Sequence, residues 1–201
     1  MSSQWGDSSS GGSIVYESTR RRLTGKQAET VARLAEATVK VLREQEFSGL
    51  TVRSVAAEAG VGTATAYTYF ASKEHLVAEV FWRRLQNSSA PDGSGLDRTA
   101  HVLSVLRNIA LLLADEPEVS AAVTNALLGS DPEVEHLRGR IGLEIHQRLA
   151  SALDPDGEPE VLEALEMLYA GALLRAGIGY GTYAQIAGRL EASALLILEK
   201  S

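Results

Sequence analysis

The sequence predicts an all-α protein of about nine helices, and three observations point to it. Only 5 % of the 201 residues are aromatic and Ala and Leu dominate the 45 % apolar share, a composition that suits helices better than a β-sandwich. Apolar residues recur at helical spacing along most of the chain. Gly, Pro, Asn and Asp gather in a few short breaks between those runs.

Residues 1–15 are Ser/Gly-rich and aperiodic and read as a disordered arm. A first helix is expected from Thr24 to about Phe47, with Val31, Leu34, Ala35, Val41 and Leu42 on its apolar stripe and Ser48-Gly49 breaking it. Thr51 then caps a short helix burying Val52, Val55, Ala56 and Ala59, and Gly60 stops it. Thr63 to Phe70 forms a third segment, and Ser72 caps a longer helix reaching about Gln86. Residues 16–86 make one unit, 87–95 the linker and 96–201 a second unit.

In that second unit Leu103, Leu106, Ile109, Ala110 and Leu113 form a stripe ending at Asp115-Glu116. Pro117 and Pro132 sit where first helical turns begin, the latter after a capping Asp131. The pattern continues through Leu137, Ile141, Ile145 and Leu149, and residues 154–157 make a turn before Pro159. The helix that Pro159 opens is apolar on nearly all sides in its second half and is expected to be buried. Glycines 177, 179 and 181 end it, and a last helix carries its apolar side chains on one face.

Composition also excludes. Without cysteine there are no disulfides, thiolate zinc sites or cysteine nucleophiles. Met167 to Leu174 is far shorter than the roughly 20 apolar residues of a spanning helix. Met1 to Gly12 lacks the apolar core of a secretory signal, so a cytoplasmic protein with no membrane partner is expected. The net charge of −7 divides unevenly, with a balance of +2 over residues 1–86 and −9 over 87–201. Such asymmetry suggests halves with different partners.

Helix, glycine turn and short helix within Thr51–Phe70 have the spacing of a helix-turn-helix. Ala56 is small where the helices touch, Gly60 supplies the left-handed backbone of the turn, and Val61 fills the space beneath it. The second helix can place Thr63, Thr65 and Thr68 in a major groove, with Tyr67 and Tyr69 reaching phosphates. Spacing alone leaves a plain helical hairpin as the alternative.

The residues themselves resemble the TetR family of bacterial repressors. The matching landmarks are the Thr51 cap, the Ala56–x–x–x–Gly60–Val61 turn, Tyr67–x–Tyr69–Phe70, and the Ser72–Lys73–Glu74–x–Leu76 opening of the next helix. The resemblance is close over roughly residues 23–85. It implies phosphate contacts at Tyr67 and Lys73, further backbone contacts at Thr51, Arg53 and Tyr69, and groove-facing positions at Thr63, Ala64 and Thr68. Gly62 stands where the family often has Ser, Thr63 where Lys or Arg is common, and Ala66 where Leu, Ile or Val is usual. The recognition helix thus lacks a basic side chain for guanine, which shifts base readout toward hydroxyls, thymine methyls and DNA shape. Arg20, Arg21 and Arg22 are candidates for a basic arm, against the alternative of a solvated charge run.

The resemblance further implies a C-terminal domain that dimerises and encloses a small-molecule site, and the apolar composition of its candidate lining favours a small hydrophobic effector, fatty-acyl, sterol-like or aromatic. Candidate lining residues are Leu106, Ile109, Leu113, Val123, Leu127, Ile141, Ile145, Tyr169 and Leu173, with His101, Asn125, His146 and Arg175 as polar anchors. Each apolar one also reads as ordinary core. The uncharged face of Tyr183, Ile186, Leu190, Ala194 and Ile197 is the candidate dimer interface. The expected partners are a palindromic operator, the effector and a second copy, with no cofactor and no metal. A ligand-independent DNA-binding or architectural protein is the rival. A helical enzyme or carrier has little support, because no histidine cluster, nucleophile elbow or acid pair stands out.

Overall fold

The structure, a computed structural model, describes residues 25–153 and 158–199. Among them are nine helices and no strand: α1 (Gly25–Gly49), α2 (Val52–Glu58), α3 (Thr63–Tyr69), α4 (Lys73–Asn87), α5 (Arg98–Ala110), α6 (Pro117–Leu128), α7 (Pro132–Leu153), α8 (Pro159–Gly177) and α9 (Tyr183–Leu198). The expected arm, Arg20–Arg22 and the 154–157 turn lie outside the described residues.

Local chemistry sets the helix starts. The side chains of Thr51, Ser72, Asp97 and Thr182 each accept a bond from a backbone N–H of the first turn, which would otherwise lack a partner. Pro117 and Pro159 open their helices where a missing N–H costs nothing. α1 runs slightly longer than expected and kinks at Glu46, whose φ of 56° is left-handed.

α1 to α4 close around Leu34, Leu42, Val55, Ala56, Ala66, Phe70 and Leu76. Ala66 and Phe70 are both fully buried, and the Phe70 ring meets His75 edge-on at 5.1 Å between centroids. The 88–97 segment is a surface loop held by Asp92, which accepts from the backbone and hydroxyl of Ser94, and by His101 against the Pro91 carbonyl. The core does not stop at this loop. α4 packs on α6 and α7, so Phe81, Trp82 and Leu85 are buried within one apolar cluster that extends to Leu198. Glu116, which precedes α6, reinforces the junction by pairing with Arg43 of α1 and Arg84 of α4. The Arg84 guanidinium holds its carboxyl below the usual carboxylate range.

Two expectations about the last helices are corrected. α8 buries Val161, Leu165, Tyr169 and Ala176 on its inner face, but Met167, Leu174 and Ile178 remain 66 %, 40 % and 58 % exposed. One helix has room against its own bundle for about half its circumference, and a sequence apolar all round leaves the other half outside. The face of α9 expected to form the dimer interface points inward instead. Ile186, Leu190 and Ala194 are buried, Ile197 packs on the core, and the Tyr183 hydroxyl meets that of Thr124 at 3.2 Å. Periodicity identifies an apolar face but not what covers it, and here α5 and α8 cover it.

Candidate nucleic-acid interface and effector groove

The helix-turn-helix is built from its two ends. At the start of α2, Thr51 and Ser54 exchange side-chain and backbone bonds in a capping box. At its end the Val61 N–H bonds Ala56 O at 2.9 Å and the Gly60 N–H bonds Ala57 O at 3.2 Å. This pair of bonds is a Schellman motif, and it requires the left-handed φ of 63° found at Gly60. The turn therefore aims α3 away from α2, tying the recognition surface to two short sequence signals.

α3 buries Ala66 and leaves Ala64, Thr65, Tyr67 and Thr68 exposed, with Thr63 half-buried at its first turn. Tyr67 is 49 % exposed and its hydroxyl is available to an anion. Thr68 is exposed and donates its proton to Ala64 O at 3.0 Å, so its hydroxyl is left with its acceptor lone pairs, beside a methyl group. Arg53 is exposed and forms no ion pair among the described residues.

Two residues stand differently from expectation. Tyr69 is buried in the core at 8 % exposure and does not share the surface of Tyr67. Lys73 is half-buried, its amino group donating to Phe47 O at 3.1 Å and lying 4.2 Å from the centre of the Phe47 ring. A cation so placed gains from both the carbonyl and the ring face, and a phosphate must compete with them. The left-handed Glu46 next to Phe47, with a φ of 56°, was not legible in the sequence either.

In the second unit, Leu106, Ile109, Leu113 and Val123 are fully packed core. Leu127, Ile141, Ile145, Tyr169 and Leu173 instead border a groove of about 630 Å³ between α6, α7 and α8. Of the proposed polar anchors His146 lines it, bonded through Nδ1 to Glu166 at 2.7 Å. His101 is turned to the 88–97 loop, and Arg175 lies 5.1 Å from the centre of the Tyr180 ring. Burial pushes the Tyr169 hydroxyl well above the ordinary tyrosine value, and it has no hydrogen-bond partner among the described residues. Sequence reasoning missed Arg138, which also lines the groove. Its spacing of three from Ile141 and seven from Ile145 places all three on one helical flank, a signal that was available.

α7 has a second working flank. Arg140 stacks 4.4 Å from the centre of the Trp82 ring, and Arg148, 9 % exposed, donates to Leu85 O (2.6 Å), Ser88 O (3.1 Å) and Ser88 Oγ (2.9 Å). One rigid helix thus touches both the groove and the distal end of α4.

The family model "Bacterial regulatory proteins, tetR family" matches residues 34–80. The HTH-type transcriptional regulator Rv0767c of Mycobacterium tuberculosis is 47 % identical over 167 residues, covering 82 % of this chain and 78 % of that protein. The HTH-type transcriptional repressor KstR of Rhodococcus jostii is 25 % identical over 66 % of this chain and 63 % of its own length. A TetR transcriptional regulator from Rhodococcus sp. RHA1 superposes with a TM-score of 0.74 at 22 % identity, over 89 % of this chain and 99 % of that one.

Proposed function

The chain belongs to the TetR family of bacterial regulatory proteins, a DNA-binding regulator of transcription, and we propose that it is a homodimeric repressor released from a palindromic operator by a small hydrophobic ligand. The observation that carries this reading is the exposed row Ala64, Thr65, Tyr67 and Thr68 on a helix aimed by the Gly60 turn. Arg53 flanks the row, and Lys73 joins it once drawn off Phe47. With no basic residue in α3, readout rests on threonine hydroxyls and methyls and on the deformability of the DNA.

Two copies are needed because one seven-residue helix reads few base pairs. The outer stripe of α8, formed by Met167, Ala170, Gly171, Leu174 and Ile178, is uncharged and meets water in the single chain. It borders an α8–α9 groove of about 560 Å³ lined by the small residues Gly171, Ala192 and Ser193, which let a partner helix approach closely. This surface replaces the inward face of α9 as the proposed contact.

The groove between α6, α7 and α8 favours ligand control, and the densely packed Leu106, Ile109, Leu113 and Val123 favour the ligand-independent rival. α7 gives the former a route, since a molecule wedged against Ile141 and Ile145 pushes the helix that holds Trp82 and Leu85 of α4 and the Ser88 that follows it. Such a ligand must bind the DNA-free form more tightly, by the factor with which it weakens DNA binding.

Selection of duplexes from a random-sequence library tests the DNA reading. Enriched sequences should carry two inverted half-sites about one helical turn apart, bound by two chains. Enriched sites without two-fold symmetry overturn it.

A further inference from the structure

We infer that the α6–α7–α8 groove takes an amphiphile with an anionic head, the head meeting Arg138 and the apolar chain lying toward His146. The inference rests on the groove being the effector site proposed above, and it names the class of effector.

The groove is polar only at its ends. Along its length stand Leu127, Ile141, Ile145 and Leu173, with Tyr169 beside them. The Tyr169 hydroxyl is sealed from solvent, so an open groove meets ring carbon there. At one end His146 and Glu166 satisfy each other across α7 and α8. At the other stands Arg138, eight residues earlier on α7 and so about 12 Å away at the helical rise. An unbranched chain of medium length spans that distance.

Arg138 differs from three arginines at the α4 junction in having no carboxylate partner among the described residues. Arg83, Arg84 and Arg148 pair with Glu79, Glu116 and Glu144. Arg138 donates Nε to Leu127 O and Nη2 to Gly129 O, both at 2.7 Å, and no carboxylate pairs with it among the described residues. The two carbonyls at the end of α6 fix the plane of the guanidinium and use two of its five N–H donors. A held, uncompensated fork at the mouth of an apolar groove is suited to a carboxylate or another planar anion. Glu166, at the far end, leaves that anion unopposed.

Decanoate and decanol share one chain and differ in the head, and calorimetric titration of each below its aggregation threshold separates the contributions. Decanoate should bind at least about tenfold more tightly than decanol. Arg138→Gln should remove that preference by weakening decanoate far more than decanol, and Arg138→Lys, which keeps the charge, should restore part of it. Gly142→Trp, built where a side chain meets open space on the groove wall, should weaken both ligands. Failure of decanoate to bind, equal affinities in the parent protein, or a preference unchanged in Arg138→Gln overturns the inference. Equal affinities that both fall in Gly142→Trp leave the groove as effector site and remove only the anionic head. Binding of both that survives Gly142→Trp removes the groove as well.

Discussion

Replacing Arg148 with Met should weaken the junction between the DNA-binding unit and the rest of the protein by about 3 kcal/mol. Met keeps most of the apolar stem and deletes the guanidinium that donates to Leu85 O, Ser88 O, Ser88 Oγ and Glu144. A hydrogen bond involving a charged group is worth about 1.5–3 kcal/mol, and four would sum to far more than is lost. Glu144 can turn to water, and Leu85 O keeps the bond from Ser88 Oγ at 2.8 Å. The net cost therefore approaches that of one or two well-buried bonds. For a chain of this size, that lowers the melting temperature by about 6–12 °C. Thermal melts at one fixed protein concentration measure it, since association would otherwise contribute. Arg148→Lys, charged but without the fork, should fall between. A Met substitution that melts within about 2 °C of the parent refutes the assignment of Arg148 as the tie on α4.

Gly60→Ala should cost about 1–2 kcal/mol in urea unfolding from the left-handed backbone alone, because nothing stands within 4 Å of an added Cβ; an unchanged midpoint contradicts the turn geometry. The Glu116 carboxyl is held below its ordinary value, so its contribution is fully present above the unfolded-state pKa and is lost as pH falls through the folded one. Glu116→Gln should accordingly flatten the fall of melting temperature with pH in the acid range, and an unaltered slope counts against the Arg43–Glu116–Arg84 link. Arg53→Ala should reduce the log–log salt slope of operator binding by about one unit, whereas Lys73→Met does the same only if Lys73 leaves Phe47 in the complex. Met167→Glu should give folded monomers by light scattering and Leu190→Glu an unfolded chain; the reverse result restores the α9 face as the contact.

The parts legible in the sequence are those governed by neighbours along the chain. Thr51, Gly60 and Ser72 set turns and caps through bonds spanning a few residues, so the helix-turn-helix could be placed from the string alone. The Thr182–Gln185 capping box was equally open to that reading. What depends on a third element was not. The inward turn of Ile186 and Leu190 follows from where α5 and α8 lie, and Tyr69 is buried because the α1–α4 core closes over it. The groove is a space left between three helices, and no residue encodes a space. Lys73 keeps the motif position expected of it, yet its resting partner, Phe47, lies 26 residues away.

The grip of Arg148 on the end of α4 also sets a mechanical ratio. α4 has 15 residues and is therefore about 22 Å long, with α3 attached beyond its opposite end. A swing of about 5° around the held end carries the opposite end through about 2 Å. In the proposed two-fold dimer such displacements would oppose and add, parting or closing the recognition helices by about 4 Å against the roughly 34 Å of one DNA turn. In the proposed dimer, a tilt of α4 by a few degrees at the Arg148 end would therefore be enough to put two reading heads out of step.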